Sequence, residues 1–324
     1  MDVYKEMRVA VLLATYNGEK FVYQQIQSLN KNSTQFQLHW LDDHSKDSTR
    51  VIVRAAAADA NIRLVEWHQE QRQGLPGAFF KLLECVEADI YLFCDQDDIW
   101  QDGKIDATVN GIIGDSEIPA LCFSEAWAFR EGKPESLSRV FDLIGAKTDL
   151  LIEESRIFTC NPAQGNTIGL TRPLRDIFLK HKEVACTYAP SHDSWLYVIA
   201  VASGVTRLLP GVPTTLYRLH GSNAFGIYLD MKDTSGLVQK WRFQDPMRRW
   251  ISRQATGFCL ASSTLPQSPK LDRILSLAKR FAAIDRRVPA VVLAQLLRDR
   301  SLPANVNAAM WLTAACLCSN MKTV

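Results

Sequence analysis

Three carboxylates follow a short apolar run in the sequence: Asp95, Asp97 and Asp98 come directly after Ile90–Cys94. A short apolar run bounded by polar residues is typical of a buried strand in a parallel sheet. Open α/β sheets bind ligands beyond the carboxyl ends of their strands, so Asp95 and Asp97 are expected at such a crevice. Two neighbouring carboxylates repel each other unless a cation lies between them, and hard oxygen ligands suit Mg²⁺ or Mn²⁺. The alternative for an isolated Asp-x-Asp is a solvated acidic turn.

The segments before these carboxylates predict two further polar strand ends. The apolar runs Arg8–Ala14 and Phe36–Leu41 indicate strands, which end at Thr15 and at Asp42–Asp43. Strands that alternate with helices indicate a mostly parallel sheet, so the three ends should meet at one edge. The other elements predicted in this half are helices at Glu19–Leu29, Val51–Ala60 (with Asp47 or Ser48 as its N-cap) and Gly77–Val86, and a strand at Ile62–Trp67.

The second half of the chain alternates less regularly. Ser191 or Asp193 is expected to be the N-cap of an apolar helix at Trp195–Ala202. The other predicted elements are a strand at Ala120–Phe129, a glycine-containing loop at Cys160–Leu170, a helix at Pro173–Lys180, strands at Val205–Leu209 and Thr214–His220, and helices from about Asp230 onward.

The composition of the 324-residue chain, 47% hydrophobic and 22% charged, is that of an ordinary soluble protein. The net charge of +2 does not decide about nucleic acid, but long basic runs and zinc-finger or RNP-like signatures are absent from the sequence, so no nucleic-acid partner is expected. The eight cysteines contain no CxxC pair and fall mostly in apolar runs, which indicates reduced thiols. The N-terminus lacks a signal-peptide pattern, and Ala308–Cys318 is too short to span a bilayer. A cytoplasmic protein is expected.

Five segments carry a family resemblance: 11–19 (VLLATYNGE), 41–49 (LDDHSKDST), 93–100 (FCDQDDIW), 192–195 (HDSW) and 217–223 (YRLHGSN). In this order they resemble the family 2 glycosyltransferases, and most of all bacterial rhamnosyltransferase-like enzymes that build surface polysaccharides such as O-antigen or capsule. The match runs over about residues 8–226. It implies a GT-A fold, in which a Rossmann-like, mostly parallel sheet is flanked by helices. It also implies a nucleotide-diphosphate sugar donor linked to dTDP or UDP, a divalent metal, Mg²⁺ or Mn²⁺, and inversion at the anomeric carbon.

The resemblance also implies roles at the diphosphate end of the donor. Asp97 matches a metal ligand, and His220 matches a histidine that completes the metal site in some relatives. Asp95 is expected toward the ribose or the water molecules on the metal. A metal there would stabilise the charge that builds on the leaving phosphates. Taken alone, His220 could be an ordinary surface residue, and Asp98 could merely cap the next helix.

The nucleotide base is expected near the first two strand ends. By resemblance, Asp43 hydrogen-bonds the base, and an acceptor-only carboxylate suits the N3–H of uracil or thymine. The backbone of Ala14, Thr15 and Tyr16 would line the base pocket. Arg72 could reach the diphosphate, or it could be a surface charge.

The acceptor hydroxyl needs a general base near the anomeric carbon. Asp193 occupies the position where relatives place that base, and the neighbouring His192 is expected to be structural. Gly165 and Asn166 align with the acceptor-side loop, whose backbone could approach the donor sugar. Trp195 would pack in the core or stack under a sugar.

Three positions depart from the usual family pattern. His44 and Ser48 stand where relatives usually carry glycine, so the loop would be strained if both positions need a positive φ. Ser194 stands where relatives carry a second tryptophan. These changes concern the sugar specificity more than the chemistry.

Residues 1–228 are predicted to form the GT-A domain, with a nucleotide-binding half (1–115) and an acceptor half (116–228), followed by a helical extension at 229–324. Basic and aromatic residues alternate between Lys240 and Arg253. One interpretation is peripheral contact with the inner face of the cell membrane through these C-terminal helices, which would suit a glycan or lipid-linked glycan acceptor. The other is a helical lid that packs on the catalytic domain.

Two other functions fit parts of the pattern. A phosphohydrolase with an Asp-x-Asp nucleophile pair normally carries it after the first strand, whereas here the pair follows a later one. A non-catalytic nucleotide-sugar binding protein could keep the pocket without turnover, although the carboxylates at 43, 95, 97 and 193 argue against it.

Overall fold

The computed structural model describes residues 7–144, 154–211, 214–221, 223 and 237–283. The strands are β1 Val9–Thr15, β2 Gln37–Asp42, β3 Leu64–Trp67, β4 Ile90–Cys94, β5 Ile99–Trp100, β6 Ala120–Phe123, β7 Ala126–Arg130, β8 Lys133–Arg139, β9 Gly169–Thr171, β10 Val205–Leu208 and β11 Thr215–Leu219. The helices are α1 Val22–Ser28, α2 Thr49–Asp59, α3 Gly77–Cys85, α4 Lys104–Ile112, α5 Val140–Ile144, α6 Arg172–Lys180, α7 Lys182–Tyr188, α8 His192–Ser203, α9 Leu237–Ala261 and α10 Pro269–Ala282.

A large, mostly parallel sheet has the strand order β10-β6-β9-β4-β1-β2-β3. Strands β1, β2, β3 and β4 run parallel to their neighbours in this group, and β9 lies antiparallel between β4 and β6. The register pairs Thr15 with Asp42, and Leu13 with Cys94. The polar residues that follow β1, β2 and β4 therefore leave the sheet at the same edge, as the alternating pattern predicts.

The prediction of one strand at Ala120–Phe129 is wrong. The segment forms β6 in the large sheet and β7 in a second sheet of order β5-β11-β7-β8. The break falls at Ser124 and Glu125, and Glu125 is buried although it is charged. Its carboxylate accepts hydrogen bonds from the backbone N–H groups of Ala126 (3.1 Å) and Phe141 (3.0 Å), so these contacts replace sheet pairing at the corner between the two sheets.

The predicted loop at Cys160–Leu170 also differs from the structure, because its end enters the large sheet as part of β9. Three residues of β9 suffice to pair with β4 on one side and β6 on the other. So short a strand carries no readable alternation, which is why periodicity does not predict it.

Apolar layers cover both faces of the large sheet. One face of β1 and β4 packs against helices α3, α6 and α8, and the other packs against α1, α2 and α4. Burial on both sides explains why these strands are continuous apolar runs rather than alternating ones.

The C-terminal helices join the first of these two layers. Ile251 and Phe258 of α9 and Ile274 and Phe281 of α10 are buried in the same cluster as α8. The buried residues between Ile251 and Phe281 therefore pack against the layer that contains α3, α6 and α8, as the lid interpretation expects. The side chains from Lys240 to Arg248, and the segment Ala308–Cys318, lie outside the described residues.

Candidate active site

Hydrogen bonds tie the three strand ends together. The Thr15 hydroxyl donates to the Asp42 carboxylate (3.0 Å), and the backbone N–H of Asp43 donates to the Thr15 carbonyl (2.7 Å). Gln96, which lies between two of the predicted site carboxylates, accepts from the N–H of Tyr16 (2.9 Å) and donates to its carbonyl (3.1 Å). Residues after β1, β2 and β4 thus form one continuous rim, with Tyr16 at its centre.

Asp43 anchors the loop that follows β3. Its carboxylate is buried and accepts hydrogen bonds from the backbone N–H groups of Gln73 and Gly74, both at 2.8 Å, and from the Gln69 side-chain amide. Arg72, from the same loop, lies with its guanidinium 3.6 Å above the centre of the Tyr16 ring. The predicted base-pocket residues are therefore adjacent, and Arg72 lies over the Tyr16 ring.

Asp97 and His220 are brought into direct contact from distant parts of the chain. The Nε2 atom of His220 lies 3.0 Å from Oδ2 of Asp97, and the His220 side chain is only 6% exposed, so it is not an ordinary surface histidine. Asn223 holds this histidine because its Oδ1 accepts from the His220 backbone N–H (2.5 Å) and its Nδ2 donates to the Arg218 carbonyl (2.9 Å). The ring of Phe21 packs beside the imidazole, with ring centres 4.8 Å apart.

A carboxylate and an imidazole fit a divalent metal that also binds phosphate oxygens and water. Among the described residues, three or more Asp, Glu, His or Cys side chains are nowhere grouped as a complete metal site. Asp97 and His220 could therefore hold a metal only together with oxygen ligands from the substrate and solvent. This arrangement is usual for Mg²⁺, which keeps several non-protein ligands.

Asp98 is buried beneath this pair and does not cap a helix. The N-cap of α4 is Gly103, so the capping interpretation of Asp98 is wrong. Asp98 instead accepts hydrogen bonds from the Arg218 backbone N–H (3.0 Å) and the Asn166 side-chain amide. Burial raises the pKa of Asp98 to about 7. Its contacts connect the end of β4 to β11 and to the acceptor-side loop.

Asn166 directs its polar groups into the protein interior. Its side chain donates to Asp98, and its carbonyl accepts from the ammonium group of Lys104. Lys104 is 1% exposed, and burial lowers its pKa to about 7. Its Nζ lies 4.2 Å from the centre of the Trp100 ring. The side chain of Asn166 is thus engaged in the protein interior, so only its backbone is left for the predicted approach to the donor sugar.

Asp95 completes the acidic cluster. Burial, together with the charges of Asp98, Asp97 and Asp193, raises the pKa of Asp95 well above its usual value. The nearby Lys104 acts in the opposite direction. The raised pKa values of Asp95 and Asp98 show that it is unfavourable for all of these carboxyl groups to be ionised together, and a bound cation would relieve this repulsion.

Helix α8 places Asp193 in its first turn. The N-cap is Ser191, whose hydroxyl accepts from the Ser194 backbone N–H (3.4 Å), so Asp193 is not the cap. The Asp193 carboxylate accepts a hydrogen bond from the Asn161 side-chain amide at 2.9 Å. Trp195 is 1% exposed and belongs to the core, which excludes the sugar-stacking alternative.

His192 is a structural histidine, as expected. Its ring packs against Phe79 and Phe93, with ring centres 4.3 and 4.7 Å away, and none of the described residues forms a hydrogen bond with its Nε2 atom. Burial lowers the pKa of His192 to about 4, so the ring is neutral at physiological pH. A Cβ atom at Gly165 would lie 2.6 Å from Nε2 of His192, so only glycine allows the acceptor-side loop to approach α8 this closely.

The loop after β2 shows the effect of one of the two missing glycines. His44 has a φ of 67°, a conformation that glycine adopts without cost, whereas Ser48 has an ordinary φ of −78°. The expected strain is therefore confined to His44. Ser48 occupies the N-cap position of α2, but its side chain does not form the capping hydrogen bond. The Asp47 carboxylate instead accepts a hydrogen bond from the Thr49 backbone N–H (3.0 Å) at the start of α2.

Sequence reasoning did not find four residues of this region: Gln96, Lys104, Asn161 and Arg218. Arg218 is buried, and its Nε donates to the Asp97 carbonyl at 2.8 Å. Lys104 could have been found, because helical spacing places it on the buried face of α4. The other three lack a local signal, since their partners are far away in the sequence.

Comparison with known proteins shows which family the chain resembles. Residues 10–124 match the family model "Glycosyl transferase family 2". The dTDP-rhamnosyl transferase RfbG of Shigella flexneri is 24% identical over 245 residues, which cover 71% of this chain and 80% of RfbG. Protein RfbJ of Shigella flexneri is 25% identical over 111 residues, covering 34% of this chain and 81% of RfbJ.

Two solved structures share the fold. TarS 1–349 of S. aureus, in complex with UDP, is 16% identical, with a TM-score of 0.52 over 91% of this chain and 87% of that one. The mannosyltransferase PcManGT of Pyrobaculum calidifontis, in complex with GDP-Man and Mn²⁺, is 15% identical, with a TM-score of 0.51 over 98% of this chain and 81% of that one. The expected GT-A fold and the resemblance to family 2 glycosyltransferases are confirmed. In the described part of the chain, helices that are both long and apolar enough to cross a bilayer do not occur.

Proposed function

We propose that this family 2 glycosyltransferase transfers a sugar, with inversion and with a divalent metal, from a dTDP- or UDP-linked donor to a hydroxyl of a growing bacterial surface glycan. The observation that carries the proposal is the contact of Asp97 with His220 (3.0 Å) at the sheet edge that also holds Asp43. One carboxylate marks the base end of a nucleotide, and the carboxylate–imidazole pair marks its diphosphate end. Asp193 supplies the reactive group on the acceptor side.

At the base end, the donor would lie against Ala14, Thr15 and Tyr16. Asp43 accepts hydrogen bonds there and cannot donate, which favours a base with an N3–H group, such as uracil or thymine. RfbG is named a dTDP-rhamnosyl transferase, and TarS was solved with UDP, which supports the same two bases. Arg72, with its charge over Tyr16, would cover the bound base or turn toward the first phosphate.

At the diphosphate end, Asp97 and His220 would hold Mg²⁺ or Mn²⁺, and PcManGT, which shares the fold, was solved with Mn²⁺. The metal, when bound, would offset the negative charge that builds on the departing diphosphate. Asp95 would lie beside the ribose or the metal-bound water. Gly165 would allow the acceptor-side loop to lie close to the donor sugar.

On the acceptor side, Asp193 would remove the proton from the attacking hydroxyl as that oxygen forms its bond to the anomeric carbon. The bond from that carbon to the phosphate oxygen breaks at the same time, on the opposite face of the sugar. A single displacement of this kind inverts the anomeric configuration. The acceptor would be a lipid-linked glycan at the inner face of the membrane, which the protein would contact peripherally through its C-terminal helices.

The proposal is tested by incubating the protein with labelled dTDP-rhamnose or UDP-sugars, Mn²⁺ and a lipid-linked glycan fraction from bacterial membranes. We expect a labelled product with inverted configuration, and loss of that product when the metal is chelated. Asp193→Asn should lose transfer while it still binds the nucleotide. A variant that transfers at the wild-type rate would remove Asp193 from the base role. Nucleotide binding without transfer from any donor would favour the non-catalytic binding protein.

A further inference from the structure

Asn161 touches the proposed general base directly. Its Nδ2 atom donates to Oδ2 of Asp193 at 2.9 Å, across a gap of 32 residues in the sequence. Among the side chains that the structure describes, none besides Asn161 donates a hydrogen bond to the Asp193 carboxylate. We infer that Asn161 is a positioning residue that fixes the orientation of the Asp193 carboxylate for proton removal. This inference rests on the proposed function of Asp193.

The orientation of the Asn161 amide is itself fixed by its own loop. Its Oδ1 atom accepts from the backbone N–H of Ala163 at 3.1 Å, and its backbone carbonyl accepts from the Gln164 side chain at 3.2 Å. An amide that bonds an N–H with one end must use its oxygen there, so its NH₂ group is left to face the carboxylate. The following Pro162 further restricts the backbone of Asn161. The donor is therefore presented to Asp193 before any substrate binds.

As a result, the two carboxylate oxygens of Asp193 have different roles. Oδ2 is engaged by Asn161, so Oδ1 is the oxygen left to accept the proton of the acceptor hydroxyl. The backbone of Asp193 is held separately by the first turn of α8, with its Ser191 cap. Without Asn161, the backbone would stay in place while the carboxylate could rotate about its side-chain bonds. A general base contributes about 10²- to 10⁴-fold to a rate, and that contribution depends on its geometry.

Asn161→Asp is the first test, because it replaces the donor of this contact by an acceptor of the same size and adds one negative charge. Aspartate keeps the shape of asparagine and an oxygen that accepts from the Ala163 N–H, but it places a second carboxylate against Asp193. We expect kcat to fall about ten- to a hundredfold. The KM for the donor should stay within about threefold, because donor binding does not use this contact.

Asn161→Ser is the companion variant. A serine hydroxyl can still accept from the Ala163 N–H but is too short to reach Asp193, so the same kcat loss is expected without added charge. Asn110→Asp, the same replacement at an exposed position of α4, is the matched control, and it should retain wild-type transfer. A second readout is the ratio of sugar transfer to donor hydrolysis by water. This ratio should fall in both Asn161 variants, and a purely structural role would not move it.

The outcomes separate this role from the proposed function. Normal kcat in both Asn161 variants, with transfer lost in Asp193→Asn, would overturn the positioning role alone. Equal losses in kcat, nucleotide affinity and melting temperature would also overturn it, because they would indicate a loop that has lost its structure. If Asp193→Asn transfers at the wild-type rate, the base assignment fails, and the role of Asn161 fails with it.

Discussion

Replacing His192 by leucine should make the protein more resistant to acid without abolishing catalysis. The ring of His192 is buried between Phe79 and Phe93, and its pKa is lowered from 6.5 to about 4 by that burial. The unfolded chain therefore binds one more proton than the folded chain between pH 6.5 and 4. The stability that depends on a neutral ring is complete above pH 6.5 and is lost as the pH falls toward 4.

The magnitude follows from the two pKa values. A group with a pKa of about 4 in the folded state and 6.5 in the unfolded state costs about 2 kcal/mol of unfolding free energy between pH 7 and pH 5. His39 and His181 are also buried with pKa values lowered to about 4, so the wild type should lose several times this amount. Leucine at position 192 fills the apolar site without a titrating group, and it should remove about one third of the loss.

The assay is urea denaturation of wild type and His192→Leu at pH 7 and pH 5. We expect similar unfolding free energies at pH 7 and an advantage of about 2 kcal/mol for the variant at pH 5. His68→Leu is the control, because His68 is exposed. Sugar transfer by His192→Leu should stay within a few-fold of wild type. An equal loss of stability between the two pH values in wild type and variant would refute the reasoning.

Three further outcomes can be checked by denaturation or by titration calorimetry. Gly204→Ala should unfold the protein at lower denaturant, since its Cβ atom would lie 1.9 Å from the backbone oxygen of Pro119, whereas Gly114→Ala meets nothing within 4 Å and should be tolerated. Asp43→Ala should cost about 3 kcal/mol, measured by denaturation, because it leaves three donors of the loop after β3 without their acceptor. Lys104→Met should lower the nucleotide affinity in titration calorimetry, because the Asn166 carbonyl loses its hydrogen bond from Lys104 and keeps the one from the Thr215 hydroxyl (3.2 Å), which loosens the loop below the metal pair. A wild-type affinity in that variant would show that the buried lysine is dispensable.

The strand ends of the first half could be predicted because each is a local pattern. A continuous apolar run followed by Thr15, Asp42 or Asp95 marks where a buried strand meets solvent, and parallel pairing brings such ends together. The corner at Glu125 could not be predicted in this way. It depends on the backbone N–H of Phe141, which lies 16 residues further along the chain, so the local apolar pattern predicts one long strand.

The residues of the candidate site likewise fall into those that a local motif predicts and those that only long-range contacts reveal. Asp97 and Asp193 belong to short motifs that can be read in the sequence, whereas Asn161 and Arg218 are identified only by contacts with them. Asn166 shows the opposite case. Its motif position is correct in the resemblance, but its side chain bonds Asp98 in the interior, a direction that spacing alone does not specify.

The most direct test of the account is the melting temperature of the protein with UDP, dTDP, GDP or CMP, each with and without Mn²⁺, and the same series for Asp97→Ala. A ligand at a hundredfold excess over its dissociation constant adds about 2.7 kcal/mol to the stability, which gives a measurable shift. The account predicts stabilisation of the wild type by UDP or dTDP only when Mn²⁺ is present, and loss of the metal-dependent part in Asp97→Ala. The absence of a shift with every nucleotide would contradict it, because the carboxylates at this sheet edge would then be structural.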